Sequence, residues 1–541
     1  MGYYDEHSRG SARFATRAEI QKAGLLNGVG PGIGWIGKER LSAPSGHITL
    51  VAATGAGKGT GITIPMALGH CGVGQNDAPN MIWLDPKNEI YEATADTQVR
   101  YNRHCVSFAP HKPNSVRLNP LEDIDPHRPD FDARCKRAAE DMLPVATRGD
   151  GKHWEEISQI YLALFTKGIA WENKNLPDNY VTLPLLTSFV RRLEQGGITR
   201  LDALADLGTC GLPEVESAAA ELSEKASDPS NREWPIVMTE LRKALIFMSD
   251  EAVARSVSPP YNLSYREFHE GPQPIALSIG MPADAIRRAP QLIRRIFSCH
   301  AGFQERHPLG RKTVYLIEET AQLGNFQEVL NFYSIGRGYG IIVVTVWQNF
   351  QQMDRVLGTG AKATILANTD HLIIFKIADP ETAKYISDRM GSFTLKTNDI
   401  LSQEKATAET QNIIWDVLNG SDPIDAFKEL RRQKPHAEHQ DRFGRLLMTP
   451  DELEAMPPRH MLIFSPGLRP IRAEAPAYWT KREFAGLYFP TSMHGRQDRV
   501  AVKTLFGTKQ APVITAPVPP QHAHLKQYAE GNWRYIEGDR P

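Results

Sequence analysis

The chain has 541 residues, with 62 Lys and Arg against 63 Asp and Glu, so its formal net charge is −1. This length predicts two or three domains, and the near-zero charge disfavours a nucleic-acid-binding protein with a uniformly basic surface. Five cysteines without a C-x-x-C pair argue against structural zinc and a disulfide framework, and no apolar run approaches the roughly 20 residues that a membrane-spanning helix needs.

Strand–loop–helix units open the chain. Residues 46–53 (GHITLVAA) predict a strand that runs into a glycine-rich loop, and residues 58–68 (KGTGITIPMAL) predict the helix that follows. Residues 80–94 (NMIWLDPKNEIYEAT) predict a second buried strand, a turn at Asp85-Pro86 and a helix. Such units in series predict a parallel sheet that is covered by helices on both faces.

The pattern changes near residue 128. From there to residue 251 the apolar residues recur at helical spacing, most clearly over 153–172 (HWEEISQIYLALFTKGIAWE). We therefore predict an all-helical domain over 128–251, inserted into the α/β domain. Farther along, residues 285–297 (AIRRAPQLIRRIF) place paired arginines on a helix, for which we expect a solvated or inter-subunit face.

Strand patterns return after the helical segment. The predicted strands are 273–280 (QPIALSIG), 312–319 (KTVYLIEE), 340–348 (GIIVVTVWQ) and 370–377 (DHLIIFKI), followed by a hairpin within 459–479. The predicted fold is a mostly parallel α/β nucleotide-binding domain formed by 1–127 and 252–500. Because residues 501–541 are Pro-rich, we expect a poorly ordered tail there.

Residues 50–65 (LVAATGAGKGTGITIP) are close to the phosphate-binding pattern G-x-x-x-x-G-K-[ST]. Gly57-Lys58 match it, whereas Ala52 replaces the first glycine and Gly59 replaces the hydroxyl residue after the lysine. The glycines permit a turn of converging N–H groups, and the lysine supplies charge for the β- and γ-phosphates. The loop alone also permits a glycine turn with a solvated lysine. The candidate nucleotide-binding residues are Thr54, Gly55, Ala56, Gly57, Lys58, Gly59 and Thr60, and the Thr60 hydroxyl lies one position late for Mg²⁺.

A nucleotide hydrolase also needs acidic groups at the end of another strand. The predicted strand at 312–319 ends in Glu318 and Glu319, and two adjacent carboxylates there are costly unless a cation lies nearby. We assign Glu318 to Mg²⁺ and its water shell, and Glu319 to the attacking water. The alternative is a helix that begins with acidic residues because its N-terminal dipole favours them.

Two further polar residues flank the strand at 340–348. Gln348 ends this strand, where a glutamine can sense the γ-phosphate or orient water. Arg337 lies in a glycine-flanked loop before the strand and can project toward the nucleotide of a neighbouring subunit. The alternatives are a polar strand end and a surface arginine.

Eight stretches occur in an order typical of one family. They are GSARFATRAEIQKAGLL (10–26), ATGAGKGTGITIP (53–65), WLDPKNEIYEAT (83–94), RLNPLE (117–122), YLIEETAQLGN (315–325), GRGYGIIVVTVWQ (336–348), ADPETAKYISDRMG (378–391), and LMTPDELEAMP with GLRPIRA near the end. With them the chain resembles the type IV secretion coupling proteins, the VirD4/TraG group of conjugative ATPases. The Gly after the loop lysine looks like this family's own variant.

The resemblance implies a RecA/FtsK-like motor domain with an inserted all-α domain, assembled as a homo-hexameric ring around a DNA channel. It implies ATP and Mg²⁺ as cofactors, a relaxase–DNA or protein substrate, and contacts with secretion-channel components and their ATPases. The place of action would be the bacterial cytoplasm at the cytoplasmic face of the inner membrane. Family members normally carry a membrane anchor before the GSAR stretch, so we expect either a trimmed anchor or one that a partner supplies.

Carried over position by position, Lys58 becomes the phosphate-loop lysine, Glu318 and Glu319 the Walker B pair, Gln348 the strand-end glutamine, and Arg337 the candidate arginine finger. Glu318 departs from the family's usual Asp, which bears on metal binding. Two other functions stay open: a non-hydrolysing platform that recruits protein effectors, and a phosphate-loop enzyme with a small-molecule substrate. The second is disfavoured because no separate pocket motif stands out.

Overall fold

The computed structural model describes residues 10–69, 78–145, 151–398, 440–493 and 498–537, with short pieces at 409–411, 413–414 and 427–428. Its strands are β1 (Gly32–Ile36), β2 (Glu39–Ser42), β3 (Ile48–Ala52), β4 (Asn80–Leu84), β5 (His104–Phe108), β6 (Ile275–Ile279), β7 (Thr313–Ile317), β8 (Ile341–Trp347), β9 (His371–Phe375), β10 (Ser392–Asn398), β11 (Gln440–Leu446), β12 (His460–Phe464), β13 (Ile471–Glu474), β14 (Arg499–Thr504), β15 (Gly507–Pro517) and β16 (Asn532–Ile536).

An eleven-stranded sheet forms the centre of the described chain, in the order β2-β1-β13-β12-β9-β3-β8-β7-β4-β6-β5. From β9 to β5 every neighbouring pair is parallel, whereas β12, β13, β1 and β2 add antiparallel strands beyond β9. The parallel strands are short, almost continuously apolar runs, because helices cover both of their faces. The predicted mostly parallel sheet is confirmed, and the predicted hairpin within 459–479 is β12 with β13.

Helices cover the sheet and fill the segment between β5 and β6. They are α1 (Arg17–Lys22), α2 (Ile64–Gly69), α3 (Glu89–Thr94), α4 (Phe131–Met142), α5 (Lys152–Glu172), α6 (Leu183–Gln195), α7 (Gly197–Gly208), α8 (Pro213–Ser227), α9 (Glu233–Ala244), α10 (Glu251–Ser256), α11 (Glu267–Glu270), α12 (Ala283–Arg288), α13 (Pro290–Arg306), α14 (Glu328–Ser334), α15 (Gln351–Leu357), α16 (Ala361–Asn368), α17 (Pro380–Met390) and α18 (Pro450–Glu454). In the part of the chain described, no helix is long and apolar enough to cross a bilayer.

The segment that was predicted to be all-helical contains only helices among its regular elements, within the residues the structure describes. Its core is not separate, however. One hydrophobic cluster joins Leu162 of α5 and Leu186 of α6 to Phe297 of α13 and Ile317 of β7. The division into domains at 128 and 251 therefore stays a prediction.

The prediction of a poorly ordered tail from residue 501 is wrong for residues 501–536, which continue a sheet that begins at Arg499. They form a three-stranded antiparallel sheet, β14-β15-β16. Its Val500, Val502 and Ile536 side chains are buried and join the cluster beneath the central sheet. The proline-rich composition hid the alternation of apolar residues, and burial against the main sheet supplies the stability that the isolated segment lacks.

The expectation of a solvated or inter-subunit face for the paired arginines holds for only one of the two pairs. Arg287 and Arg288 are exposed, but Arg294 and Arg295 are buried on α13. The Arg295 guanidinium forms ion pairs with Asp123 and, at 2.9 Å, with Asp141 of α4. Because the charges are paired and hydrogen-bonded, burial is tolerated, and the pairing ties α4 to α13.

We predict that Arg295→Met destabilises the fold by about 3–5 kcal/mol, because it leaves two buried carboxylates without their cation. Chemical denaturation followed by circular dichroism measures the effect. Arg288→Met is the matched control: its side chain is 73% exposed and pairs with Asp284 one helical turn away, so its loss should cost less than about 1 kcal/mol. Equal effects of the two substitutions would contradict the assignment.

Candidate functional site

The glycine loop after β3 forms the turn that a phosphate site requires. Gly55 and Gly57 have φ values of +71° and +85°, a region that residues with a Cβ rarely adopt. A π-helical turn, Gly59–Thr63, follows directly and continues into α2. The loop therefore leads into a helix N-terminus, where free N–H groups and the helix dipole favour an anion.

Three of the predicted site residues meet at the carboxyl ends of adjacent strands. Lys58 Nζ lies 3.4 Å from Glu319 Oε1, and Gln348 Nε2 lies 3.4 Å from Glu319 Oε2. The sheet order explains this meeting, because β8 lies between β3 and β7 and all three strands are parallel. Glu319 itself adopts a left-handed backbone (φ +52°), a strained conformation for a residue with a side chain, and such strain is frequent at functional sites.

Glu318 takes a different environment from Glu319. Its carboxylate accepts a hydrogen bond of 2.5 Å from the Thr63 hydroxyl. Burial raises the pKa of Glu318 to about 7, and although the Thr63 bond and the Lys58 charge oppose the rise, the neighbouring Glu89 and Glu319 add to it. The group is thus poised to exchange a proton or to be ionised by a cation near neutral pH.

Asp85 extends the acidic cluster below the loop. Its buried carboxylate accepts hydrogen bonds from the Glu89 and Tyr91 N–H groups, both at 3.0 Å, and so starts α3 after the predicted turn. Burial raises the pKa of Asp85 to about 8, and the neighbouring Glu318 contributes to the rise. Sequence reasoning marked the turn at Asp85-Pro86 but not this carboxylate as a member of the site.

The metal prediction concerned Thr60 and Glu318. The Thr60 hydroxyl is buried and donates to the Gly57 carbonyl at 3.3 Å, whereas Thr63, one turn later, reaches Glu318. Among the described residues no group of three or more His, Cys, Asp or Glu side chains is arranged to hold a metal. Mg²⁺ at a nucleotide needs only one or two carboxylates, because phosphates and waters complete its shell. The Glu318–Thr63 pair beside Lys58 fits this requirement.

Two cations near the loop were missed. Lys376, immediately after β9, donates from Nζ to the Thr54 carbonyl at 3.2 Å. Arg459, immediately before β12, donates to the Ala475 carbonyl and lies 3.7 Å from where a Cβ on Gly57 would be. Lys376 was open to prediction, since it lies at the carboxyl end of the predicted strand 370–377. Arg459 was not, because only the antiparallel return of β12 brings its start to this edge.

Arg337 is not brought together with the other predicted site residues. It lies before β8 and forms an ion pair with Asp370, which also accepts from the His47 N–H at 2.8 Å. Gln348 lies just past the opposite end of β8, whose seven residues span about 23 Å. Within one chain Arg337 is therefore far from Lys58, and its assignment as an arginine finger stays a prediction.

The chain matches known proteins over most of its length. Residues 11–415 match the family model described as "Type IV secretory system Conjugative DNA transfer". A conjugal transfer protein TraG of Escherichia coli is 23% identical over 496 residues, which cover 84% of this chain and 72% of that protein. A protein VirD4 of Rhizobium radiobacter is 21% identical over 512 residues, which cover 90% of this chain and 66% of that protein.

Solved structures share the fold. The bacterial conjugative coupling protein TrwBΔN70, in its unbound form, superposes with a TM-score of 0.58 at 15% identity, covering 87% of this chain and 96% of its own. The plasmid coupling protein TrwB in complex with ADP and Mg²⁺ also gives a TM-score of 0.58, at 13% identity, over 86% of this chain and 94% of its own. These likenesses establish an α/β fold of the same kind.

We predict that Glu318→Gln stabilises the nucleotide-free protein much more at pH 8 than at pH 5. The pKa of Glu318 rises on folding from 4.5 to about 7, so its favourable contribution is complete below the unfolded pKa and is lost as pH rises through the folded pKa. Glutamine imitates the protonated acid, and its advantage at pH 8 is about 2–3 kcal/mol after allowance for partial exposure. Urea denaturation at both pH values measures it, and an equal difference at the two would contradict the assignment.

Proposed function

The chain belongs to the type IV secretory system conjugative DNA transfer family, and from this membership we propose that it is an ATP-driven coupling protein. It recruits a relaxase–DNA or protein substrate at the cytoplasmic face of the inner membrane. It then passes DNA through a hexameric ring toward the secretion channel. The relatives' names, TraG and VirD4, support the conjugative role, and the phosphate loop with its acidic partner supports the ATPase.

One observation carries the ATPase assignment. Lys58, Glu319 and Gln348 follow three different strands and meet through contacts of 3.4 Å. The alternative, a glycine turn with a solvated lysine, does not explain why Glu319 with its strained backbone and the strand-end Gln348 meet at Lys58. The same contacts make the helix-start interpretation of the acid pair unattractive, because the Glu319 carboxylate is directed to Lys58 and Gln348.

The chemistry assigned to each residue follows from these contacts. The Lys58 ammonium binds the β- and γ-phosphate oxygens as charge develops on them. Glu319 then exchanges its contact with Lys58 for the attacking water, accepts the water's proton and is oriented by Gln348. When bound, Mg²⁺ supplies neutralisation of the phosphate charge, and Glu318 with Thr63 or Thr60 would hold it or its waters.

Glu318 stands where an Asp is usual in the family, and the geometry offers an account of the longer side chain. Its extra methylene spans to the Thr63 hydroxyl, one turn beyond the position at which a hydroxyl normally follows the lysine. Gly59 leaves that normal position empty. The Glu318–Thr63 pair thus takes the place of the usual Asp and Ser/Thr pair, with the hydroxyl moved by one helical turn.

A ring assembly gives Arg337 a role in trans. Its loop lies at the edge of the sheet opposite the phosphate loop, so only the nucleotide of a neighbouring copy comes within its reach. The ion pair with Asp370 keeps the Arg337 guanidinium at an exposed position, from which it can reach a neighbouring copy. A nucleotide at the subunit interface couples hydrolysis to movement between subunits. Sequence-indifferent contacts with DNA phosphates inside the ring would weaken with salt.

We predict that Lys58→Ala lowers the ATPase rate at least about a hundredfold, because charge on the transferring phosphoryl group loses its main partner. The rate is measured with and without single-stranded DNA at low and high protein concentration, and the wild-type rate should rise with both. Plasmid transfer should fall in parallel. Lys22→Ala, on the exposed end of α1, is the control. If the wild type transfers substrate without hydrolysis, the non-hydrolysing recruitment platform replaces this proposal.

A second prediction tests the trans assignment. Arg337→Ala and Lys58→Ala should each be inactive alone, whereas an equal mixture should regain activity, since about a quarter of randomly formed interfaces pair an intact loop with an intact arginine. Steady-state ATPase assays after mixing measure the recovery. If Arg337→Ala alone retains the wild-type rate, the residue is not a finger. If mixing restores nothing, it does not act in trans.

A further inference from the structure

The hairpin between β14 and β15 ends in two large apolar side chains that are almost fully exposed. Thr504 pairs with Gly507, so Leu505 and Phe506 alone form the turn. They are 92% and 100% exposed. We call these two residues the hairpin tip. The hairpin itself is firmly placed, because Val500 and Val502 pack into the cluster beneath the central sheet.

The tip has no role in folding the hairpin. Neither Leu505 nor Phe506 has a positive φ, so their turn accepts most residue types and does not require two large apolar side chains. Nor do the two side chains contribute to a core, since they are almost fully in contact with solvent. The hairpin also lies outside residues 11–415, the part that matches the family model. An apolar pair at such a position indicates contact with another apolar phase.

Cations surround the tip. Lys503 and Lys509 are both exposed, and because Lys509 pairs with Val502 while Lys503 follows it, the two ammonium groups lie on opposite faces of the hairpin. Arg482 is also exposed and donates from Nη2 to the Thr504 carbonyl at 2.9 Å. We call these three residues the basic collar. Lys503 and Lys509 lie two and three residues from the tip, and Arg482 bonds directly to its base.

The carboxylates that lie on the neighbouring segments are engaged elsewhere. Glu483, next to Arg482, accepts from the Trp35 indole N–H at 2.8 Å. Glu39, near the turn that Lys481 contacts through the Gly37 carbonyl, forms an ion pair with Arg17 at 2.6 Å. The hydrogen bond to the neutral indole leaves the Glu483 charge in place, so the three cations of the collar outweigh this one neighbouring carboxylate and the surroundings of the tip stay net positive.

We propose that the hairpin tip inserts into the surface of an anionic lipid bilayer, with the basic collar on the headgroups. A protruding apolar pair ringed by long cationic side chains matches the layers of such a surface: acyl chains meet Leu505 and Phe506, and phosphates meet the lysines and the arginine. Lysine stems let the ammonium groups stay in the headgroup layer while the tip lies deeper. A protein pocket that received the tip would need to bury or pair cations on both faces of the hairpin. Lipid phosphates pair with these cations without being held in fixed positions.

This contact does not depend on nucleotide binding. The hairpin belongs to a separate antiparallel sheet, and within the described residues the side-chain contacts of Lys58, Glu318 and Glu319 include no tip or collar residue. It would hold one side of the motor against the bilayer surface and so orient a ring relative to a channel in the membrane. The proposal can therefore succeed or fail separately from the ATPase assignment.

Co-sedimentation of the full chain with vesicles tests it. Equimolar phosphatidylglycerol and phosphatidylethanolamine vesicles should pellet the wild type, and phosphatidylcholine vesicles should not. The double variant Leu505→Ser/Phe506→Ser should partition about tenfold or more weakly, because the buried apolar area is lost. Lys503→Ser/Lys509→Ser should lose about tenfold at low salt and little at high salt. Leu309→Ser is the matched control, since Leu309 is also 100% exposed but lies after α13.

The outcomes separate the interpretations. Loss of binding in the tip variant, with Leu309→Ser and Lys58→Ala binding like the wild type, supports the proposal. The proposal is overturned if the wild type stays in the supernatant or if the tip variant binds as well as the wild type. It is equally overturned if the wild type ignores vesicles while the tip variant lowers the oligomer mass in sedimentation velocity, because the tip then contacts another copy of the chain. Unchanged circular dichroism shows that the variants fold.

Discussion

The parallel pairing of β3 with β8 and of β8 with β7 is the constraint on which the candidate site depends. Parallel strands end at the same edge, so the residues that follow these three strands come together, although more than 250 residues of chain separate the loop from the acid pair. The site therefore forms without a bent strand or a long connecting loop. Lys58 begins the helix that follows β3, Glu319 has a left-handed backbone just after β7, and Gln348 directly follows β8.

Acidic and basic groups lie on different sides of this edge of the sheet, and this separation suits a nucleotide with a metal cation. Asp85 and Glu318 have raised pKa values because protein surrounds them. Lys58, Lys376 and Arg459 lie on the loop side. The cationic groups attract the phosphates, and the acidic groups attract the metal cation. Either set of groups alone would repel one of the two. Without nucleotide, the acids weaken the fold above neutral pH, a cost typical of functional sites.

The helical segment is joined to the sheet domain by ion pairs as well as by a shared hydrophobic cluster. Arg137 of α4 contacts Glu305 of α13 at 3.0 Å and Glu328 of α14 at 3.3 Å. Burial raises the pKa of Glu328 to about 7, with the Arg137 charge opposing the rise. Since α14 begins nine residues after Glu319, the helical segment is bound to the element that follows the acid pair. Such pairing favours one relative placement over others.

Sequence alone determined the elements whose signals are local. The buried parallel strands are short apolar runs in the sequence, and Gly55 and Gly57 mark the turn of the phosphate loop. The polar residues that follow the strands mark one edge of the sheet. Family motifs then supplied the order of the elements and the roles that we propose for the site residues. Composition misled only where stability comes from elsewhere, as in β14 to β16, whose proline content concealed strands that pack on the main sheet.

Tertiary structure decided what depends on partners distant in the chain. Thr63 rather than Thr60 meets Glu318, because helical geometry sets which hydroxyl faces β7. Arg459 reaches the loop only through an antiparallel strand return, and Arg295 is buried because two acids from other segments enclose it. A sequence records side chains and spacing, whereas the environment that shifts a pKa or buries a charge comes from segments whose placement no local pattern encodes.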